Sequence, residues 1–188
     1  MGRALEGVFM RKTLLAACTL ATLTTTPAAA MSHKSWGHVS DAGVATLGVL
    51  AVGGPILGGD TEGLYQAGAS LAVGGGVAYG LKQLVHEDRP DGSGNDSFPS
   101  AHTSVSFAAA ATMHNRYGWQ VGVPATLVAT LVGVARVKAD KHHWYDVVAG
   151  AGIGELSGFL LTTKYDNQVQ IVPWADSHGA GFSAQAHF

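Results

Sequence analysis

Between two apolar, glycine-rich stretches the chain reads ARVKADKHHWYD, residues 135–146, crowding Arg136, Lys138, Lys141, His142 and His143 together with Asp140 and Asp146. A turn between helices, a metal site and a catalytic site could each be built from such residues. His142 and Asp146 are four apart and share a face if the segment is helical. His143, three from Asp146, can share that face too. A carboxylate on one imidazole nitrogen fixes the tautomer and leaves the other nitrogen free as a nucleophile. Spacing to Asp146 does not by itself choose between the two histidines.

Two more polar islands interrupt the apolar runs: KQLVHEDRP, from Lys82 to Pro90, and SFPSAH, from Ser97 to His102. Isolated buried charges are costly, so a mostly apolar chain that keeps its basic groups in three islands is expected to bring them together. Lys82, Arg89 and Arg136 supply three cations, two of them with planar forks suited to phosphate. Ser100 is placed to cap the alanine-rich segment after it, whose first backbone N–H groups and dipole would face an anion, with His102 in the first turn. Three cations, a nest of N–H groups and two histidines are what phosphoryl transfer through a phosphohistidine needs. The cations hold the equatorial oxygens while one histidine attacks and the other protonates the leaving oxygen. Zinc is the competing reading, because His102, His142, His143 and Asp146 are ligand types. Five basic side chains around them (Lys82, Arg89, Arg136, Lys138, Lys141) would repel a cation, so no metal or other cofactor is expected.

The three islands together resemble the type 2 phosphatidic acid phosphatase superfamily, which also holds bacterial class A acid phosphatases and vanadium haloperoxidases. Its pattern of K-x6-RP, PSGH and SR-x5-H-x3-D is met by Lys82-x6-Arg89-Pro90, by Pro99-Ser100-Ala101-His102 and by Ala135-Arg136-x5-His142-x3-Asp146, in that order. The resemblance implies His142 as nucleophile, Asp146 as its orienting carboxylate and His102 as general acid. It implies Lys82, Arg89, Ser100, Ala101 and Arg136 as phosphate ligands, and leaves His143 a secondary contact. Two positions depart from the pattern. Ala101 replaces a glycine but keeps its N–H, and Ala135 replaces a serine and loses a hydroxyl. The expected activity is hydrolysis of a phosphomonoester or pyrophosphate end. The substrate would be a lipid phosphate (phosphatidate, an isoprenyl pyrophosphate or lipid A) or a small soluble phosphomonoester. Vanadate would inhibit such an enzyme, or serve as cofactor if the pocket were that of a haloperoxidase. A non-catalytic anion- or lipid-binding protein would have no use for both histidines and Asp146.

The elements that must position these groups are apolar. Residues 43–59, 67–81, 121–135 and 147–163 are nearly uncharged, and 103–117 is alanine-rich and helical in character, so an all-α bundle of about five helices is expected. Gly150, Gly152, Gly154 and Gly158 recur at a spacing that lets helices approach closely. Spanning a bilayer takes about 20 apolar residues, and these runs are shorter. A compact periplasmic bundle and a membrane-associated protein of short helices both fit. The tail, 166–188, alternates with period two in QVQIVPW and GFSAQAHF around Asp176-Ser177-His178-Gly179, as in a small β-hairpin with Phe182, Ala184, Ala186 and Phe188 on one face. Residues 1–30 carry Arg11 and Lys12, the apolar LLAACTLATL and Ala28-Ala29-Ala30, the order of a cleavable signal peptide with Met10 as its natural start. They predict export across a bacterial inner membrane, leaving 31–165 as the helical catalytic domain. The single cysteine, Cys18, falls within that leader. A net charge of −2 argues against nucleic acid as a partner.

Overall fold

A computed structural model describes residues 31–165 and the backbone of two strands, 169–176 and 179–186. The leader, and the tail face that includes Phe188, lie outside the described residues. Five helices form the bundle: α1 (His33–Gly58), α2 (Thr61–Leu84), α3 (Ala101–Tyr117), α4 (Trp119–Lys138) and α5 (Trp144–Leu161). The strands β1 (Val169–Asp176) and β2 (Gly179–Ala186) pair antiparallel, closing on Asp176 opposite Gly179.

Each helix is longer than its uncharged stretch, because polar side chains occupy the ends. The largest extension is in α1, which starts at His33 rather than Gly43. Ser32 caps it by accepting from the Ser35 N–H at 3.1 Å, so the polar run HKSWGHVSDA becomes its first turns. At the other end Gly59 adopts a φ of 66°, a left-handed conformation that glycine takes without strain. Asp60 follows as the N-cap of α2 and accepts from the Gly63 N–H at 2.9 Å.

Helix α3 is central and packs against each of the other four. Its contact with α5 is set by glycine. A Cβ on Gly150 would overlap the Ser100 carbonyl, one on Gly154 the Ser104 carbonyl, and one on Gly158 the Ala111 methyl. Gly152 faces open space and takes no part, unlike its three neighbours. The seam places the first turn of α5 beside the first turn of α3, where the Ser100 N–H donates to the Asp146 carbonyl at 3.0 Å.

The interior is built largely of alanine, including Ala108 to Ala111, Ala125, Ala129 and Ala135, with Leu47, Met113 and Val132 among the few large members. Larger apolar side chains point outward: Val49, Leu57, Leu127, Val148, Leu156, Phe159 and Leu160 are all exposed. Two helices, α1 and α4, are long and apolar enough to cross a membrane, each with a mean hydropathy of 1.5.

The ends of the bundle differ. Away from the three islands, the buried Arg116 near the end of α3 pairs through Nε and Nη2 with both carboxylate oxygens of Asp60. It also donates through Nη1 to Gln66 and to the Thr163 carbonyl, each at 3.1 Å. The Tyr117 hydroxyl donates to Asp60 at 3.1 Å. This network ties α2, α3 and the segment after α5 together.

Candidate active site

All three islands meet at the opposite end, at the start of α3 and α5 and the end of α2 and α4. Ser100 is fully buried and caps α3, its hydroxyl accepting from the Thr103 N–H at 3.4 Å and from the Thr103 hydroxyl at 3.0 Å. Helix geometry leaves the N–H groups of the first turn, those of Ala101 and His102, for an external acceptor. These are the groups that the sequence is expected to turn toward an anion.

Arg136 comes from the last turn of α4. It is buried, its Nε has no partner, and Nη1 donates weakly to the Ser40 hydroxyl at 3.4 Å. A buried guanidinium with an unused donor calls for an anion. Lys82 and Arg89 are more committed. The Lys82 ammonium donates to the backbone carbonyls of Asp96 and, at 3.1 Å, Ser97. The Arg89 fork is taken by Asp96, with Nε and Nη2 at 2.8 and 3.1 Å from its two oxygens. Arg89 in turn holds the Asp96 carboxyl below the usual carboxylate range. Arg89 therefore acts here first as a charge. The charges of Arg89 and Arg136 act on both His102 and His142.

His142 sits in the connection between α4 and α5 and is buried. Its Nδ1 lies 3.5 Å from Asp146 Oδ2, an ion-pair separation too long for a good hydrogen bond. Burial, helped by Arg136, Lys82 and Arg89, pushes the imidazole down to about 3, so it is neutral at physiological pH. Asp146 is fully buried. Its Oδ2 accepts from the Ser97 hydroxyl at 2.5 Å and from the His143 N–H at 2.8 Å, while Oδ1 has no partner. The second of these bonds also satisfies an orphan donor at the start of α5.

Several residues at this end had no assigned role in the sequence. Ser97 orients Asp146. Glu87, within the KQLVHEDRP island, accepts from the Tyr145 hydroxyl and lies 3.9 Å from His143 Nδ1. Lys141 is held by Asp91 at 2.5 Å and by Ser93 at 3.3 Å. The loop 85–100 is thereby tied to the 139–143 connection. Asp41, on α1, reaches His102 at 3.0 Å. Short local spacing found the islands, whereas these contacts depend on the path of a long loop and on a helix with no motif. Of the zinc-type set, His102 is taken up by Asp41. The described residues that gather within ligand reach are Glu87, His143 and Asp146.

Comparison with known proteins agrees with the geometry. The model of the PAP2 superfamily matches residues 63–170, which span all three islands. The chain belongs to that superfamily. It is 30% identical to the lipid A 4'-phosphatase of Helicobacter pylori, over 67% of this chain and 73% of that protein. It is 35% identical to the lipid A 1-phosphatase of Porphyromonas gingivalis, over 52% of this chain and only 22% of that much longer protein. Two crystal structures share the fold. Aquifex aeolicus LpxE superposes with a TM-score of 0.61 at 17% identity, covering 82% of this chain and 93% of its own. A transmembrane PAP2-type phosphatidylglycerolphosphate phosphatase from Bacillus subtilis gives 0.56 at 22% identity, covering 84% and 90%.

Proposed function

We propose that this protein is a membrane-embedded phosphatase that removes a phosphate from a lipid through a phosphohistidine on His142. The observation that carries the reading is the convergence of Arg136, Lys82, Arg89, the first turn of α3, His102 and the His142–Asp146 pair at one end of the bundle. The relatives named as lipid A and lipid phosphate phosphatases support the substrate class.

With Asp146 facing Nδ1, the other imidazole nitrogen of His142, Nε2, attacks phosphorus. Arg136 and the Ala101 and His102 N–H groups stabilise the equatorial oxygens, with Lys82 and Arg89 adding positive charge. His102 protonates the departing oxygen, then accepts a proton from the water that cleaves the phosphohistidine. No step calls for a metal. Activity should therefore survive EDTA.

Supporting a membrane placement is the inverted packing, small side chains inside and large apolar ones outside, which water would penalise and lipid would not. Exposed aromatics mark both ends: Tyr65 and Trp119 near the Arg116 network, Tyr79 and Trp144 near the site. Tyr79 follows Tyr65 by fourteen positions along α2, about 21 Å of helix. Such aromatic belts flank a bilayer. Residues 1–30 are read as the export leader, to be checked by N-terminal sequencing of the mature protein.

The deciding experiment is phosphate release in detergent micelles from phosphatidate, an isoprenyl pyrophosphate, lipid A and a soluble phosphomonoester, with the wild type and His142→Ala. Release from a lipid by the wild type alone supports the reading. Wild-type release confined to the soluble ester would overturn the lipid assignment. Equal release by both proteins would overturn His142 as nucleophile.

A further inference from the structure

Asp41 stands at the site with no motif to announce it, on α1 and outside the residues matched to the superfamily. Its Oδ1 lies 3.0 Å from His102 Nε2 and 3.9 Å from Arg136 Nη1. The preceding Ser40 is fully buried, donates to the Gly37 carbonyl at 2.7 Å and accepts from Arg136. Helix α1 thus sends two adjacent side chains to two residues that handle phosphate. The charged groups facing His102 are Arg136 from α4, Arg89 from the loop and Asp41 from α1. Asp41 is the one anion among them.

We propose that Asp41 is a positioning residue for His102. Its carboxylate takes the Nε2–H, fixes the plane of the ring and leaves Nδ1 to deliver the proton. The proposal rests on the phosphatase reading above. As the His142 nitrogen bonds to phosphorus, the bond to the leaving oxygen breaks and that oxygen keeps the electron pair. It then takes the proton from His102 Nδ1. In the second half, a water oxygen bonds to phosphorus as the phosphorus–nitrogen bond breaks, and the water's proton passes to the same Nδ1. More than half of its side chain is exposed, so it is not held there by packing, and an exposed pair of this kind adds little to stability.

A leaving-group comparison tests the role. General-acid assistance matters for an alkoxide and little for p-nitrophenolate, a stable leaving group. Asp41→Asn should lower kcat/KM, which reports cleavage of the leaving-group bond and not the later attack of water, by roughly 10- to 100-fold more on an alkyl phosphate than on p-nitrophenyl phosphate. His102→Gln, which removes the acid itself, should show at least the same difference between substrates, and Asp41→Glu should restore part of the lost rate. Equal losses on both substrates, or none, would overturn the proposal. A second readout does not need turnover: in ¹⁵N-histidine spectra, the hydrogen-bonded Nε2–H signal assigned by His102→Gln should be present in the wild type and altered in Asp41→Asn. An unchanged spectrum would remove the pairing. A wild type inactive on every phosphate would count against the phosphatase reading, while the spectrum still decides the Asp41–His102 contact.

Discussion

Asp146 Oδ2 lies 3.5 Å from Nδ1 of His142 and 3.5 Å from Nδ1 of His143. Proximity to the carboxylate therefore does not choose the nucleophile. Burial and surrounding charge differ: His142 is enclosed and sees Arg136, Lys82 and Arg89, whereas His143 is one-third exposed and faces Glu87. His142→Ala should cut phosphate release at least about 10³-fold. His143→Ala should stay within roughly tenfold of the wild type. Steady-state rates on one substrate check both, and the reverse ranking would transfer the role to His143.

Ser97 holds the carboxylate that both histidines approach. Ser97→Ala leaves Asp146 with only the His143 N–H on Oδ2, which should cost about 1–3 kcal/mol of stability. Activity should fall as well, because Asp146 is freer to turn from His142. Thermal unfolding and kcat, measured on the same preparation, should drop together.

The glycine seam gives a paired test. Gly154→Ala drives a methyl into the Ser104 carbonyl and the backbone of Ala108, so α3 and α5 must separate, at a cost of about 1–3 kcal/mol. Gly152→Ala meets nothing and, in a helix, should be neutral or slightly stabilising. Equal unfolding temperatures for the two variants would contradict the packing described.

The depressed His142 value carries a pH signature. The unfolded imidazole binds a proton below about 6.5, whereas the folded one stays neutral down to about 3. The unfolded state holds more protons in that window, so stability falls as pH drops from about 6.5 toward 3. His142→Asn lacks this component. Its unfolding temperature should decline less than that of the wild type between pH 7 and pH 4.5.

At the far end, Asp60→Asn takes from buried Arg116 its closest charge partner and leaves only Glu62, 4.0 Å away, a change worth about 3 kcal/mol. The fraction that remains folded should keep its kcat, since the network touches no catalytic group. Loss of kcat without loss of stability would point to a role beyond structure.

The His142–Asp146 pair and the basic groups of the candidate site were legible as a cluster because each island is short: a helix or turn fixes groups four to seven residues apart almost regardless of the rest of the fold. The five helices were legible from their apolar runs. Their ends were not, since the polar first turns of α1 look like loop until Ser32 caps them and the site beyond accepts Ser40 and Asp41. Asp41 and His102 are 61 residues apart in sequence and share no pattern. The commitments of Asp96, Asp91 and Glu87 were hidden for a related reason. They depend on the loop 85–100 folding back onto the 139–143 connection, and a run such as DGSGND carries no sign of which base it will meet.

The alternating course of the five helices has one more result. Among the described helices and their connections, it leaves only the turns at Gly59 and Gly118 and the end of α5 on the side away from the site. Every group proposed to handle phosphate, from Asp41 to Asp146, is on the other side. In a bilayer, such a protein is committed to a single leaflet. A lipid whose headgroup faces the opposite compartment stays phosphorylated until it is carried across.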